Sequence, residues 1–268
     1  MLDTSLLDIL KEAIRTMENG FAGLPEFEST VDMAAVSWVI REVAQRMHDN
    51  YPYFHPLYAG QMLKPPHPAA HIAYMLAMYM NPNNHALDGG RASSRMEKEA
   101  VSAIASMLGW DTHLGHLTSG GTMANLEALW VAGQLHPGRK VLASEMAHYT
   151  HHRITGVLQI PFENVPCMPD GGMDMEKLEA ILKQGETGTV VATLGTTGTG
   201  SLDPLDSIVS LCKKYNCRVH ADAAYGGYYI LASNLHERER SIFNNVAETD
   251  SLVIDPHKHG LQPYGCGC

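Results

Sequence analysis

GTVVATLGTTGTGSLDPLDSIVSLCKKYNCRVHADAA, residues 188–224, is the stretch that decides the fold. Its first eight residues, 188–195, form a short apolar run bounded by glycines, which reads as a strand buried on both faces. Asp203, Pro204 and Asp206 then fall at the N-cap, N1 and N3 positions of a helix. An acceptor side chain, a fixed φ and a negative charge favour a helix start at those places. Leu205, Ile208, Val209 and Cys212 share one face of that helix. CRVHADAA, residues 217–224, is a second strand. A strand, a helix and a strand in that order place the two strands parallel in one sheet.

The same alternation extends outward. SLVID at 251–255 and KVLAS at 140–144 read as further strands. Met175 to Lys183 reads as a helix capped by Asp174, and residues 118–133 as a glycine turn feeding a helix. Ser94 and Glu97 have the spacing of a capping box at the start of a helix through Met107. The expected class is α/β, with a mostly parallel sheet covered on both sides.

Residues 1–80 differ. Residues 5–18 place Leu6, Leu7, Leu10, Ala13 and Ile14 on one helical face, and residues 34–49 form a second amphipathic helix with Asp32 as N-cap and Met33 in its first turn. GLPEF at 23–27 has loop composition, and the Pro-, Tyr- and His-rich segment 51–68 suits neither a regular helix nor a central strand. AAHIAYMLAMYM at 69–80 is apolar nearly all round and is expected to be buried, and 81–90 is a loop. The expected organisation is a helical N-terminal segment over 1–80 and a large domain over 81–268.

The chain has 268 residues, 45% of them hydrophobic and 18% charged, which suits a globular protein with one large core. Its net charge of −10 argues against a basic footprint for nucleic acid. The first twenty residues do not read as a signal peptide or a membrane span, so a cytoplasmic protein with no membrane partner is expected. Cys167, Cys212, Cys217, Cys266 and Cys268 match no common zinc spacing and are expected to be free thiols.

Open parallel sheets bind ligands beyond the carboxyl ends of their strands. Asp222 closes one strand here, Asp255, His257 and Lys258 follow another, and Thr196 and Thr197 follow a third. Ser119, Gly120, Gly121 and Thr122 form a glycine turn opening a helix, whose bare N–H groups suit a phosphate, although the turn taken alone reads first as an ordinary helix start. Asp222 reads either as a cap for the next segment or as a carboxylate that keeps a heteroaromatic nitrogen protonated. Lys258 follows an apolar strand and a proline and lies between two histidines, surroundings in which an amine loses its proton more easily and attacks a carbonyl. His148 reads as a structural histidine or as an aromatic plate against a cofactor ring. His151 and His152 raise a metal site, which no carboxylate or thiolate at supporting spacing strengthens, so no metal is expected.

TSGGTMANLEAL, AHYTHHR, ATLGTTGTGSLDP, HADAAYGG and DPHKHG, in that order, resemble the group II pyridoxal-phosphate decarboxylases of amino acids. The resemblance covers residues 50–268. It implies a fold-type I, aminotransferase-like large domain, pyridoxal 5'-phosphate as cofactor, an amino acid as substrate, loss of its α-carboxylate, and a homodimer. Carried over by position, Lys258 would form the Schiff base with the cofactor aldehyde. Asp222 would pair with the ring nitrogen, Ala224 would pack under the ring and His148 would stack over it. Ser119, Gly120, Gly121 and His257 would hold the phosphate, and Thr197 would lie near the cofactor or the substrate carboxylate. His55 and Pro56 resemble a segment lining the substrate entrance, and Glu97 a recurrent structural glutamate.

The family continues well past its lysine into a small C-terminal domain, whereas this sequence closes on HGLQPYGCGC, which reads like the beginning of a strand. Arg153 stands where the family often carries a lysine. Two other readings remain open at the level of sequence. One is another pyridoxal-phosphate lyase, acting on a phosphorylated sphingoid base or as a desulfurase or aminotransferase. The other is a noncatalytic subunit.

Overall fold

A computed structural model describes residues 4–26, 28 and 30–268. The N-terminal tip of the signal-peptide reading and Phe27 of the 23–27 loop lie outside the described residues. The chain divides after Pro82 into two compact units.

The first unit holds α1 (Leu6–Asn19), α2 (Met33–Met47) and α3 (Pro68–Met80). Asp32 caps α2, accepting hydrogen bonds from the N–H groups of Ala34 and Ala35. Helices α1 and α3 pack on each other and bury Leu10 and Ile72. The expectation that α3 is buried all round fails, because Tyr74, Met78, Tyr79 and Met80 are exposed. Within this unit α1 covers one side of α3 only.

The second unit runs α4 (Arg91–Met107), α5 (Gly121–Leu135), β1 (Lys140–Ser144), α6 (Thr150–Leu158), β2 (Phe162–Val165), α7 (Met175–Leu182), β3 (Thr187–Thr193), α8 (Leu205–Tyr215), β4 (Arg218–Asp222), α9 (Glu237–Asn244) and β5 (Ser251–Val253). The five strands form one parallel sheet in the order β2-β1-β3-β4-β5. The order reverses direction at β1, so the crevice beyond β1 and β3 is the switch point of an open α/β sheet.

Side-chain alternation sorts the two faces. Leu142, Val190, Ala192, Val219 and Ala221 pack against Leu178, Leu205, Ile208 and Phe243 from α7, α8 and α9. Val141, Ala143 and Val191 pack against Leu129 of α5 and Ile154 of α6. Each fully buried Leu, Ile or Val among these stabilises the fold by roughly 1.5–3 kcal/mol. Alternation along β4 therefore turns His220 and Asp222, both buried, toward α5 and α6.

Three local expectations are corrected. Helix α4 begins three residues before Ser94, so no capping box forms. Glu97 instead accepts hydrogen bonds from the Leu117 N–H and the Asn84 amide. Asp203 does not cap α8, where Pro204 stands at the cap position. Its buried carboxylate accepts the N–H groups of Met173 at 2.8 Å and Thr193 at 2.7 Å, tying two loops together. Strand β2 was not expected, because FENV is short and carries two polar residues.

Candidate active site

Residues from β1, β4, β5 and α5 meet at the carboxyl edge of the sheet. Asp222 ends β4, and one of its oxygens, Oδ1, accepts the Ala224 N–H at 3.1 Å. The other, Oδ2, accepts the Nε2–H of His151 at 2.8 Å and the Asn125 amide at 3.5 Å. His151 belongs to α6 and Asn125 to α5, so both helices on this face close on the same carboxylate. Burial alone would raise the Asp222 carboxyl, but the hydrogen bond from His151, with the Ala224 N–H, holds it well below the usual carboxylate range.

Beyond β5, Lys258 Nζ lies 2.9 Å from Asp255 Oδ2, and His257 Nε2 lies 3.7 Å from the same oxygen. The His257 Nδ1 atom contacts the Cys266 carbonyl. The other Asp255 oxygen, Oδ1, is buried without a hydrogen-bond partner. This cluster abuts the glycine turn. A Cβ on Gly121 would sit 2.9 Å from Asp255 Oδ2, and one on Gly120 would sit 3.4 Å from the His257 ring. Gly120 also has φ +143°, a conformation that L side chains rarely adopt. No side chain caps α5, so the N–H groups of Gly121 and Thr122 remain for an anion.

His148 follows β1 and is half-buried, with Nδ1 bonded to the Thr150 hydroxyl. Burial lowers its pKa, and Lys258 pushes the same way against Asp222 and Asp255. The electrostatic neighbourhood of His148 thus includes both the aspartate and the lysine.

The structure brings Lys258, His257, Gly120, Gly121, Asp222, Ala224 and His148 to one edge of the sheet. It places Ser119 and Thr197 on exposed turns next to it, with Thr196 rather than Thr197 turned inward to bond Thr199 and the Ser201 N–H. His55 and Pro56 lie in an irregular stretch of the first unit, where His55 Nδ1 accepts the Leu57 N–H. Arg153 is exposed, and its guanidinium stacks 4.5 Å above the Tyr149 ring.

His151, Asn125 and His220 were not singled out for this role by sequence. Two signals carried the last two of these. His220 is two residues before Asp222 and so shares its strand face, and Asn125 is one helical turn beyond Gly121. His220 Nε2–H donates to Asn125 Oδ1 at 2.8 Å, and its Nδ1 meets the Ser251 hydroxyl at 2.8 Å. Burial lowers the His220 pKa to about 4.

The pyridoxal-dependent decarboxylase conserved domain matches residues 134–268, half of the chain, including His148, Asp222 and Lys258. The chain belongs to the pyridoxal-dependent decarboxylase family. Pyridoxal phosphate is the cofactor of that family. The chain is 29% identical over 232 residues to the L-aspartate decarboxylase of Thermococcus kodakarensis, covering 85% of this chain and 60% of that protein. It superposes on mouse CSAD in apo form with a TM-score of 0.79 at 22% identity, over 90% of this chain and 54% of that one. The glutamate decarboxylase domain of diaminobutyrate-pyruvate transaminase and L-2,4-diaminobutyrate decarboxylase from Vibrio parahaemolyticus gives 0.78 at 23% identity, over 98% and 65%. The fold is the fold-type I, aminotransferase-like architecture with a helical N-terminal segment. The chain spans about three fifths of the length of the curated relatives it matches. Among the described residues no helix is long and apolar enough to cross a membrane.

Proposed function

We propose that this chain removes the α-carboxylate of an L-amino acid as carbon dioxide, with pyridoxal phosphate held beyond the ends of β1, β4 and β5 and the start of α5. The observation that supports this reading is the pairing of a buried, ionised carboxylate at Asp222 with an amine at Lys258 on adjacent strand ends. The residues present fit the cofactor. The uncapped α5 start and the glycine cradle suit its phosphate, and Asp222 suits a basic ring nitrogen.

In this reading Lys258 holds the cofactor aldehyde, Asp222 the ring nitrogen, and His148 and Ala224 the two faces of the ring. Gly120, Gly121 and His257 hold the phosphate, with Ser119 and Thr197 at its margin. When bound, the cofactor supplies an electrophilic carbon and a ring that accepts electrons. The chain's own residues supply placement and charge. Lys258 must leave Asp255 and lose a proton before it can attack a carbonyl, and Asp255 lies within reach to take that proton. Asp222, already ionised, keeps a proton on any basic nitrogen set against it. His148, neutral through burial, offers a ring face without adding a positive charge that would oppose that nitrogen.

The working form in this reading is a homodimer. Apolar side chains left exposed on the first unit support it: Trp38, Ile40 and Met47 of α2, with Tyr74 and Met78 of α3. Five free cysteines support a reducing, cytoplasmic setting.

Incubation with pyridoxal phosphate and then borohydride should add the cofactor mass to the peptide containing Lys258, and Lys258→Ala should abolish both the adduct and carbon dioxide release. Aspartate, glutamate, tyrosine, tryptophan and cysteine sulfinate are the substrates to screen. A loaded chain that transaminates alanine but frees no carbon dioxide from any of these would overturn the reading.

A further inference from the structure

We infer that His151 is a positioning residue for Asp222: a neutral imidazole that donates through Nε2–H, it holds the carboxylate ionised and aimed, and so sets how strongly the site favours a ligand ring with a basic nitrogen. The inference rests on the reading of Asp222 as the partner of that nitrogen.

Topology makes the contact unusual. Helix α6 follows β1, and β3 lies between β1 and β4, so His151 reaches Asp222 across the carboxyl end of a strand. Both side chains are buried. A buried histidine against a buried carboxylate has two states: an imidazolium in an ion pair, or a neutral ring that donates one hydrogen bond. The far side of the ring decides between them. His151 Nδ1 is buried and has no hydrogen-bond partner. In an imidazolium that atom would be an N–H donor sealed from any acceptor. In the neutral ring it is a bare lone pair, the cheaper of the two to leave unmatched. The neutral, Nε2–H form is therefore the one this packing accommodates.

The other groups around Asp222 point the same way. Ser251 Oγ–H donates to His220 Nδ1, His220 Nε2–H donates to Asn125 Oδ1, and that turns the Asn125 NH2 toward Asp222 Oδ2. The Ala224 N–H takes the other oxygen. The titratable groups that face His151 are Asp222, His148 and His220, and both histidines are lowered by burial. Among the described residues no lysine or arginine pairs with Asp222. Neutral donors thus hold a full negative charge at the floor of the site without cancelling it. A histidine that carried charge would spend that anion on itself. His151 is accordingly a support for Asp222, not a metal ligand and not a duplicate of His148.

The test is a ratio of affinities. The full chain is titrated with pyridoxal 5'-phosphate and with its 1-deaza analogue, in which CH replaces the ring nitrogen. The wild-type chain should bind the pyridine form more tightly, and Asp222→Ala should erase the preference. His151→Phe should shrink the ratio by about tenfold, the loss of one hydrogen bond to a charged group. His151→Gln, whose amide N–H reaches the same oxygen without a charge, should keep most of the ratio, and it carries the test if the Phe variant does not fold. A His151→Phe variant that weakens both ligands equally, or a folded Gln variant that loses the preference, overturns the inference. If wild type shows no preference, or Asp222→Ala retains it, the reading of Asp222 itself fails and takes the inference with it.

Discussion

Asp222, on the α5 and α6 side of the sheet, and Asp203, at the entrance to α8, are both buried, yet their carboxyl groups are shifted in opposite directions. Burial pushes the Asp203 pKa up to about 6, and the Thr193 and Met173 N–H groups offset that only in part. The same burial acts on Asp222, but an imidazole N–H at 2.8 Å is added to a backbone N–H, and the net direction is down. Two backbone amides are enough to make a carboxyl group a staple between loops. Holding one below its ordinary range in the interior takes side chains delivered by several elements, and that cost is characteristic of a working site rather than of a core.

Substituting the two residues alike should separate their roles. Asp222→Asn places an NH2 group where two donors already point, and it removes the charge proposed to face the ring nitrogen. Carbon dioxide release per folded chain should fall by about 10²–10³-fold, as when a preorganised charge-stabilising group is lost. Asp203→Asn should leave turnover per folded chain unchanged and lower the unfolding free energy by about 1–3 kcal/mol, because one of its two N–H donors loses its acceptor. Equal losses of turnover in the two variants would dissolve the contrast.

Their pH dependences should also run in opposite senses. Unfolded Asp203 releases its proton near its ordinary value of 3.8, while the folded chain keeps it to about 6. The folded state then binds more protons between those values, so Asp203 makes stability fall as pH rises through that window. A gap of about two units is worth about 3 kcal/mol at most. Asp222 has the reverse sign: its contribution is present above 3.8 and is lost as pH drops below that. Urea unfolding from about pH 4 to 7 should show the wild-type advantage over Asp203→Asn shrinking across the window and levelling above about 6. A constant difference would mean that Asp203 titrates normally.

How legible these two carboxylates are in the sequence differs for a physical reason. Asp222, Lys258 and His148 each follow an apolar run that reads as a strand, and an open parallel sheet gathers strand ends at one edge. Asp203 reads in the sequence as a helix cap, and it is not one. Its position before Pro204 satisfies the local rule, whereas its actual partners, Met173 and Thr193, are thirty and ten residues away. The capping box at Ser94 fails likewise, because Glu97 is drawn off by the Leu117 N–H. His151 was visible only as a neighbour of His148, since its reach to Asp222 depends on the crossing of α6 over β3. Helix α3 misled in the other direction, since an all-round apolar pattern records what a helix can bury and not what covers it within one unit.

The glycine turn offers a smaller test of how tightly the lysine loop is fitted to α5. Gly121→Ala would set a Cβ 2.9 Å from Asp255 Oδ2, the oxygen that holds Lys258. The carboxylate must move, and pyridoxal-phosphate affinity should weaken by about tenfold, equivalent to about 1.4 kcal/mol. An unchanged affinity would show that the Asp255–Lys258 pair is not part of the cradle.

The smallest expected effect marks where the Asp222 network ends. Ser251 Oγ is its outermost hydroxyl, three hydrogen bonds from the carboxylate. Ser251→Ala leaves His220 Nδ1 as a buried acceptor without a donor, which costs about 1 kcal/mol of stability. His220 Nε2–H still faces Asn125, so the amide keeps its orientation and Asp222 its donors. Unfolding should therefore shift slightly while cofactor affinity and turnover hold. If turnover instead drops with stability, the polar chain acts as one unit out to β5, and the contrast between a supported carboxylate and a stapled one extends across the width of the sheet's edge.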